Sequence, residues 1–499
     1  MGIIARQSIK GTIVTYIGVA VGFLTTFFVL TRFLTAEEIG LARVLLDAAT
    51  LFIGLAQLGT SSSIIRFFPY FRTPQQSEAH GFFFWTTVIP LLGFICFALL
   101  YHACHIPLAA WFSEKSPLFV DYYYAVLPIA FFMLYQTVFE TCSNVLMRIV
   151  VPRAVREVLV RIGLLVCYLL YAFHVLSLDG FVLALCINYA VAAVVNVVYV
   201  FAIGHISLRP DWTFLRTNRP LVRRYLLYTA FLLVSALASV VAPTLSSFFL
   251  TAKMGLAYTG VFAIATYMAV MVSIPYRSLT AIASPQLADA LKRNEHHEAE
   301  SLLQQVTGNA FLVGCLVFLL LWLNIDLIYA LLPNGTTYAV ARREVFILAL
   351  SQLLLATFSF SVMLLNYSRF YGFSLIFSFV LTALAIVFNN ALIPLYGMTG
   401  AALSNLLSYA VYCGLVVVTL LCSCRTSPFS RTQLWTLVLF ITILVLNHLI
   451  LWLLPSAAGW WGSLIRTLLF GGGFAALAYR FSFSPQLNAL LRSLFVSGH

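Results

Sequence analysis

Five ionisable side chains stand inside long apolar runs of this sequence: Arg43, Asp47, Glu140, Arg161 and Arg277. A charge at membrane depth costs about 2.5–3.5 kcal/mol or more, so each must meet a partner or a wet cavity. Arg43 and Asp47 begin a line continued by Thr50, Gly54, Gln57 and Ser61. Their alternating steps of four and three residues keep all six on one helical face, and Arg43 and Asp47 are spaced to pair. The run holding Glu140 adds Thr137, Asn144 and Arg148. A third carries Thr259, Thr266, Ser273, Arg277 and Thr280, and a fourth carries Gln352, Ser359 and Asn366.

Two chemistries suit such stripes. Serine, threonine and amide side chains serve routinely as interhelical hydrogen-bond seams. Arginine adds a planar fork that matches phosphate oxygens in pairs, which points to a cavity for an anionic group. Asp47 or Glu140 can bind a proton or Na⁺ there, or simply neutralise a neighbouring arginine. The candidate cavity set is Arg43, Asp47, Gln57, Arg66, Glu140, Asn144, Arg161 and Arg277. No catalytic or metal-ligating residue is assigned. Arg32 and Arg466 lie within reach of the outer surface and are expected to snorkel. Arg66, Arg148 and Lys253 have the same excuse near run ends.

The elements that must position these residues follow from composition. The 499 residues are 62% hydrophobic and 9% charged, with mean hydropathy +0.99. Soluble domains carry about 25% charged residues, so this is an integral membrane protein. A helical span needs about 20 apolar residues, and the unalternating runs favour helices over a barrel. About fourteen spans are predicted, near 11–33, 40–65, 81–102, 119–146, 155–177, 180–203, 225–249, 257–282, 304–325, 344–366, 371–390, 398–421, 434–454 and 460–480. The first follows Arg6 and Lys10 but is too long for a secretory core and lacks a cleavage site. The nine cysteines read as small apolar residues, not a disulfide framework.

Net charge is +12, from 24 arginines and four lysines against 16 acids. Most of the basic residues fall in alternate loops, which puts both termini in the cytoplasm and makes anionic lipid headgroups, not nucleic acid, the ordinary partner. The stretch Pro285–Gln305 mixes Leu287, Leu291 and Leu302 with charges and is expected to be a short amphipathic helix at the inner surface.

The chain also repeats itself. Phe33-Leu34-Thr35-Ala36, followed by Gly40-Leu41-Ala42, returns as Phe249-Leu250-Thr251-Ala252, followed by Gly255-Leu256-Ala257. Gly180, Leu183 and Tyr189-Ala190-Val191 return as Gly400, Leu403 and Tyr409-Ala410-Val411. The offsets nearly agree, so the reading is an internal duplication. Each copy holds six spans, an even number, so the repeats are parallel. The expected division is 1–206 for one six-helix lobe, 207–224 for a cytoplasmic linker, 225–424 for a second lobe, and 425–499 for two added helices and a tail.

Sharper motifs are missing or weak. No phosphate loop of the G-x-x-x-x-G-K-[ST] type occurs. Gly471-Gly472-Gly473 is expected to mark close helix packing. His102 and His105 lack a carboxylate partner for a metal. Asn334-Gly335-Thr336 matches a glycosylation sequon, which carries no meaning if the source is bacterial.

A resemblance emerges from three stretches. Thr31-Arg32-Phe33-Leu34-Thr35-Ala36-Glu37-Glu38-Ile39-Gly40-Leu41 resembles the outer turn after the first span of the polysaccharide-export proteins. Ser63-Ile64-Ile65-Arg66-Phe67 looks like their end to span two, and Leu392-Ile393-Pro394-Leu395-Tyr396-Gly397-Met398-Thr399-Gly400-Ala401-Ala402 is similar to their proline-glycine turn. These are the lipid-linked oligosaccharide flippases (O-antigen and capsule translocases) of the multidrug/oligosaccharidyl-lipid/polysaccharide exporter superfamily. The resemblance implies an all-α polytopic membrane protein, its two six-helix lobes forming a V around a cavity. It implies alternating access in a bacterial inner membrane and a polyprenyl-diphosphate-linked glycan as substrate. No cofactor is implied beyond coupling to H⁺ or Na⁺. The partners implied are membrane lipids and the polymerase and glycosyltransferases of lipopolysaccharide or surface-polysaccharide assembly. A cation-coupled drug or ion antiporter on the same scaffold stays open, as does a membrane glycosyltransferase or polymerase. The short outer loops count against the last.

Overall fold

A computed structural model describes residues 3–61, 63–64, 68, 82–146, 148–203, 219–220, 223–225, 241, 244–293, 295–368, 370–454 and 459–480. Every element among them is helical. Twelve helices are long and apolar enough to cross a membrane. In chain order, with one charged helix inserted, they are α1 (Val14–Phe33), α2 (Ala36–Ala56), α3 (Phe82–Ala103), α4 (Tyr123–Val145), α5 (150–172), α6 (Leu178–Ile203), α7 (Leu256–Arg277), α8 (His296–Leu323), α9 (Arg342–Tyr367), α10 (Tyr371–Tyr396), α11 (Met398–Cys424), α12 (Arg431–Leu453) and α13 (Trp460–Arg480). The exception, α5, is helical where a span was expected, but Arg153, Arg156, Glu157 and Arg161 make it too polar to count. The predicted span 225–249 lies largely outside the described residues, as does Arg66.

Chain contacts divide the molecule into two compact units, Met1–Gly260 and Val261–His499. In the first, α4 packs on α2 and α6, and α5 lies against α1 and α6. In the second, α9 packs on α8 and α11, and α10 on α11. The added helices α12 and α13 are tied to α8 rather than loosely appended. Gln433 Nε2 donates to Thr307 Oγ1 at 3.1 Å, and Asn324 and Thr467 exchange hydrogen bonds at 2.8 and 3.0 Å.

The repeated stretch shows why its residues are there. Thr35 caps α2: its hydroxyl accepts from Glu38 N while Glu38 Oε2 accepts from Thr35 N, a reciprocal capping box. Glu38 Oε1 also accepts from the Tyr171 hydroxyl, joining the start of α2 to the end of α5. The second copy turns differently. Gly255, at φ +106°, ends a helical turn, and its N–H reaches Leu250 O and Thr251 O. Inside the first unit the two copies touch. A Cβ at Gly40 would lie 2.0 Å from Leu256 O, and one at Gly260 would lie 1.8 Å from Ala36 O. Only glycine permits backbones to approach this closely.

Three expectations need correction. The stretch 285–305 is no separate surface helix. It is a hairpin between the long helices Ile274–Lys292 and His296–Leu323, with Leu287 and Leu303 fully buried between them. Arg466 does not snorkel: it is buried and donates to Asn447 Oδ1 on α12 at 2.9 Å and to Ser463 Oγ at 3.0 Å. Of the three consecutive glycines only Gly471 meets a neighbour, Leu320, while Gly472 and Gly473 face open space.

Candidate functional site

The candidate residues of the first unit fall into separate polar groups: an ion pair on α2, a hydrogen-bonded link from the end of α2 to α4, and a ladder of ion pairs from α4 through α5 to α1. On α2, Arg43 Nε donates to Asp47 Oδ2 at 2.8 Å, as the four-residue spacing predicts. Asp47 is buried and Arg43 half-buried. The expected single stripe stops short of its last members, because α2 ends at Ala56 and the chain reverses at Leu58 and Gly59, both at positive φ. Ser61 therefore comes back toward Gln57 by way of a turn, and Gln57 Nε2 donates to its hydroxyl. Ser61 in turn accepts from Thr141 Oγ1 on α4 at 3.2 Å. Thr50 is exposed and bonds only its own helix at Leu46 O.

Glu140 is buried on α4, and its carboxylate receives Arg156 Nη1 at 2.9 Å. Arg156 also reaches Glu157 at 3.4 Å, and Glu157 holds Arg161 at 2.8 Å. Arg161 closes the ladder by donating to Gly18 O on α1 at 2.7 Å. Small residues make this possible: a Cβ at Gly18 would lie 2.3 Å from Glu157 O, and one at Gly22 2.8 Å from Arg161 Nη1. Residues Val155–Leu159 form a π-helical turn, a local widening common at functional sites, and it carries both Arg156 and Glu157. Asn144 sits one turn beyond Glu140, and its buried Oδ1 has no hydrogen-bond partner among the described residues.

Arg156 and Glu157 were missed as site residues. Arg156, a basic residue at the start of a predicted span, reads from sequence as part of a cytoplasmic loop. The available signal was the spacing of Glu157 and Arg161, one turn apart and facing the same way as Arg153.

The second unit lacks a counterpart among its described residues. Thr266, Thr280 and Ser359 bond carbonyls of their own helices, at Phe262, Tyr276 and Leu355. Arg277 is exposed and forms no ion pair among the described residues. His102 and His105 are engaged by Tyr124, the first through a 2.9 Å hydrogen bond and the second by stacking.

The ladder makes a testable demand. Arg156→Ala strips Glu140 of its near cation and is expected to destabilise the protein by about 1–3 kcal/mol, between exposed-pair and buried-pair limits. Adding Glu140→Gln should recover most of that loss in thermal unfolding of the detergent-purified protein. Additive effects of the two changes would contradict the pairing.

A family model described as "Polysaccharide biosynthesis protein" matches residues 5–290, more than half of the chain. The protein belongs to that family. No curated protein sequence matches it. Among solved structures, the inward closed lipid II flippase MurJ matches with TM-score 0.65 and 12% identity, covering 95% of this chain and 100% of that one. An inward-facing multidrug-resistance MATE transporter of the MOP superfamily matches at 0.61 and 16%, covering 86% and 100%. A MOP superfamily transporter from Pyrococcus furiosus, described as having a binding pocket of reversed polarity, matches at 0.52 and 14%, covering 83% and 94%. At these identities the likeness establishes the fold. This polysaccharide biosynthesis family member is thus a multi-pass membrane protein with the fold shared by flippases and MATE transporters. The membership expected from the sequence holds, and so does the all-α membrane class; the described residues contain twelve candidate spans.

Proposed function

We propose that the protein is a flippase carrying a lipid-linked oligosaccharide, on a polyprenyl diphosphate, from the inner to the outer leaflet of a bacterial cytoplasmic membrane by alternating access. The observation that carries this reading is a set of paired arginines and hydrogen-bonding side chains within the helices of a polysaccharide biosynthesis family member. Arg43 and Arg161 on the first unit and, separately, Arg277 on the second each offer a guanidinium suited to a diphosphate or acidic sugar, and Gln57, Ser61 and Asn144 suit sugar hydroxyls. The prenyl chain stays in lipid, and no covalent chemistry is required. Both termini are cytoplasmic, and the polymerase and glycosyltransferases of the same assembly supply and consume the cargo. A proton or Na⁺ coupled to the cycle would act at Asp47 or Glu140.

The antiporter reading is weaker for a physical reason. All three acids of these groups, Asp47, Glu140 and Glu157, already face arginines, leaving a cation poorly matched.

Depletion of the protein in its host tests the reading. Surface glycan should fall while the complete lipid-linked oligosaccharide accumulates in the cytoplasmic membrane. Unchanged surface glycan, or absence of the lipid-linked precursor itself, would contradict transport and in the second case point to an enzyme.

A further inference from the structure

A second site lies in the Val261–His499 unit, at the helix ends opposite the hairpin of residues 285–305. The end of α8, the short helix Gly335–Ala339 and the first turns of α9 and α11 border a cleft of about 580 Å³. Trp322, Val340, Arg342, Arg343, Glu344 and Thr399 line it. That volume falls within the range of small-ligand pockets, about 300–1,000 Å³.

Glu344 decides what the cleft is for. It is 4% exposed, and its Oε1 accepts the Thr399 hydroxyl at 2.5 Å. Its other oxygen, Oε2, is buried with no hydrogen-bond partner among the described residues. Proteins rarely leave a buried carboxylate oxygen unmatched, because a desolvated charge without a donor is costly. The first turn of a 26-residue helix favours the charge of Glu344 but provides Oε2 with no donor. A donor brought from outside the chain would supply one.

The rest of the lining narrows the class. Asp326 holds both terminal nitrogens of Arg342, at 2.8 and 3.0 Å, which fixes that guanidinium 5.6 Å from the centre of the Trp322 ring. Arg343 is exposed and has no ion pair among the described residues. Two arginines oppose a metal cation, Glu344 opposes a bare anion, and an apolar ligand would leave Oε2 as it is. A carboxylate acceptor, a hydroxyl, guanidinium donors and an indole together match the hydroxyls and ring face of a sugar.

We infer that this cleft is a glycan-binding site: Glu344 and Thr399 take sugar hydroxyls, Arg343 a further hydroxyl or sugar carboxylate, and Trp322 a ring face. The inference rests on the reading of the protein as a glycan flippase, and gives it a contact for the sugar portion away from the arginine ladder.

The test uses the full chain in lipid nanodiscs. The probe is the lipid-free repeat oligosaccharide released by mild acid from the host's surface polysaccharide, followed by saturation-transfer NMR. Wild-type protein should bind it. Val340→Trp fills the cleft at a residue already 69% exposed, so folding is spared. That variant and Glu344→Gln should each bind at least about tenfold more weakly, as expected when a hydrogen bond to a charged group is lost. No binding to wild type, or undiminished binding by both variants, overturns the site. The host depletion experiment fails separately. If surface glycan falls on depletion yet both variants bind normally, the cleft is wrong and the flippase stands. If surface glycan is unchanged, the flippase reading is wrong whatever the NMR shows.

Discussion

Gly40→Leu is expected to abolish folded protein. The new side chain would start 2.0 Å from the carbonyl oxygen of Leu256, which is backbone and cannot rotate away. Relief requires the two helices to move apart inside the first unit, at the upper end of overpacking costs, about 3 kcal/mol or more. Gly260→Leu should fail the same way, because its Cβ would start 1.8 Å from Ala36 O. Size-exclusion chromatography of the detergent-solubilised protein reads this directly. Gly414→Ala is the matched control: nothing lies within 4 Å of its Cβ, and helix propensity predicts an unchanged or slightly raised melting temperature. A monodisperse, wild-type-like peak for Gly40→Leu would show that the two copies of the repeated stretch do not touch.

Charge reversal of the exposed arginine Arg277 should give the largest functional effect without a folding effect. Arg277→Glu replaces a cation by an anion at an exposed side chain that forms no ion pair among the described residues. Removing one charge-assisted contact to a diphosphate costs about 1.5–3 kcal/mol, or about 10- to 150-fold in binding, and repulsion adds to this. Arg277→Lys keeps the charge but loses the two-pronged fork, so it should fall between. Surface glycan measured at equal protein level separates these outcomes. Wild-type export by Arg277→Glu would remove this residue from the transport path.

The sequence carried the class of the fold and much of its order, and the reasons are visible in particular elements. Long apolar runs are unambiguous in a chain with so few charges, so α3, α6 and α11 fall within a few residues of their predicted places. The Arg43–Asp47 pair was legible because both partners share one helix. Cross-helix partners were not. Glu140 was visible as a buried acid, yet its cation lies 16 residues on, in a segment whose charges resemble a loop flank. The turn at Leu58 and Gly59 was hidden for a different reason. Neither the apolar run nor the four-and-three spacing is interrupted there, so periodicity alone extended α2 through Ser61. Arg466 misled because snorkelling depends on which way a helix faces, and that was set by Asn447 on its neighbour. Glu344 was not legible, since an acid beside two arginines at a helix start reads as a solvated end.

One reconstitution experiment bears most directly on transport. The purified full chain is placed in sealed unilamellar liposomes containing a fluorescently tagged polyprenyl-diphosphate oligosaccharide, and an impermeant reagent quenches the tag in the outer leaflet. Without protein, about half of the signal is protected. Active transport or facilitated exchange by the wild type should carry the protected fraction well below that value, and Arg277→Glu should leave it near half. A protected fraction that stays at half with correctly folded wild-type protein, under an imposed proton or Na⁺ gradient as well as without one, would contradict the account.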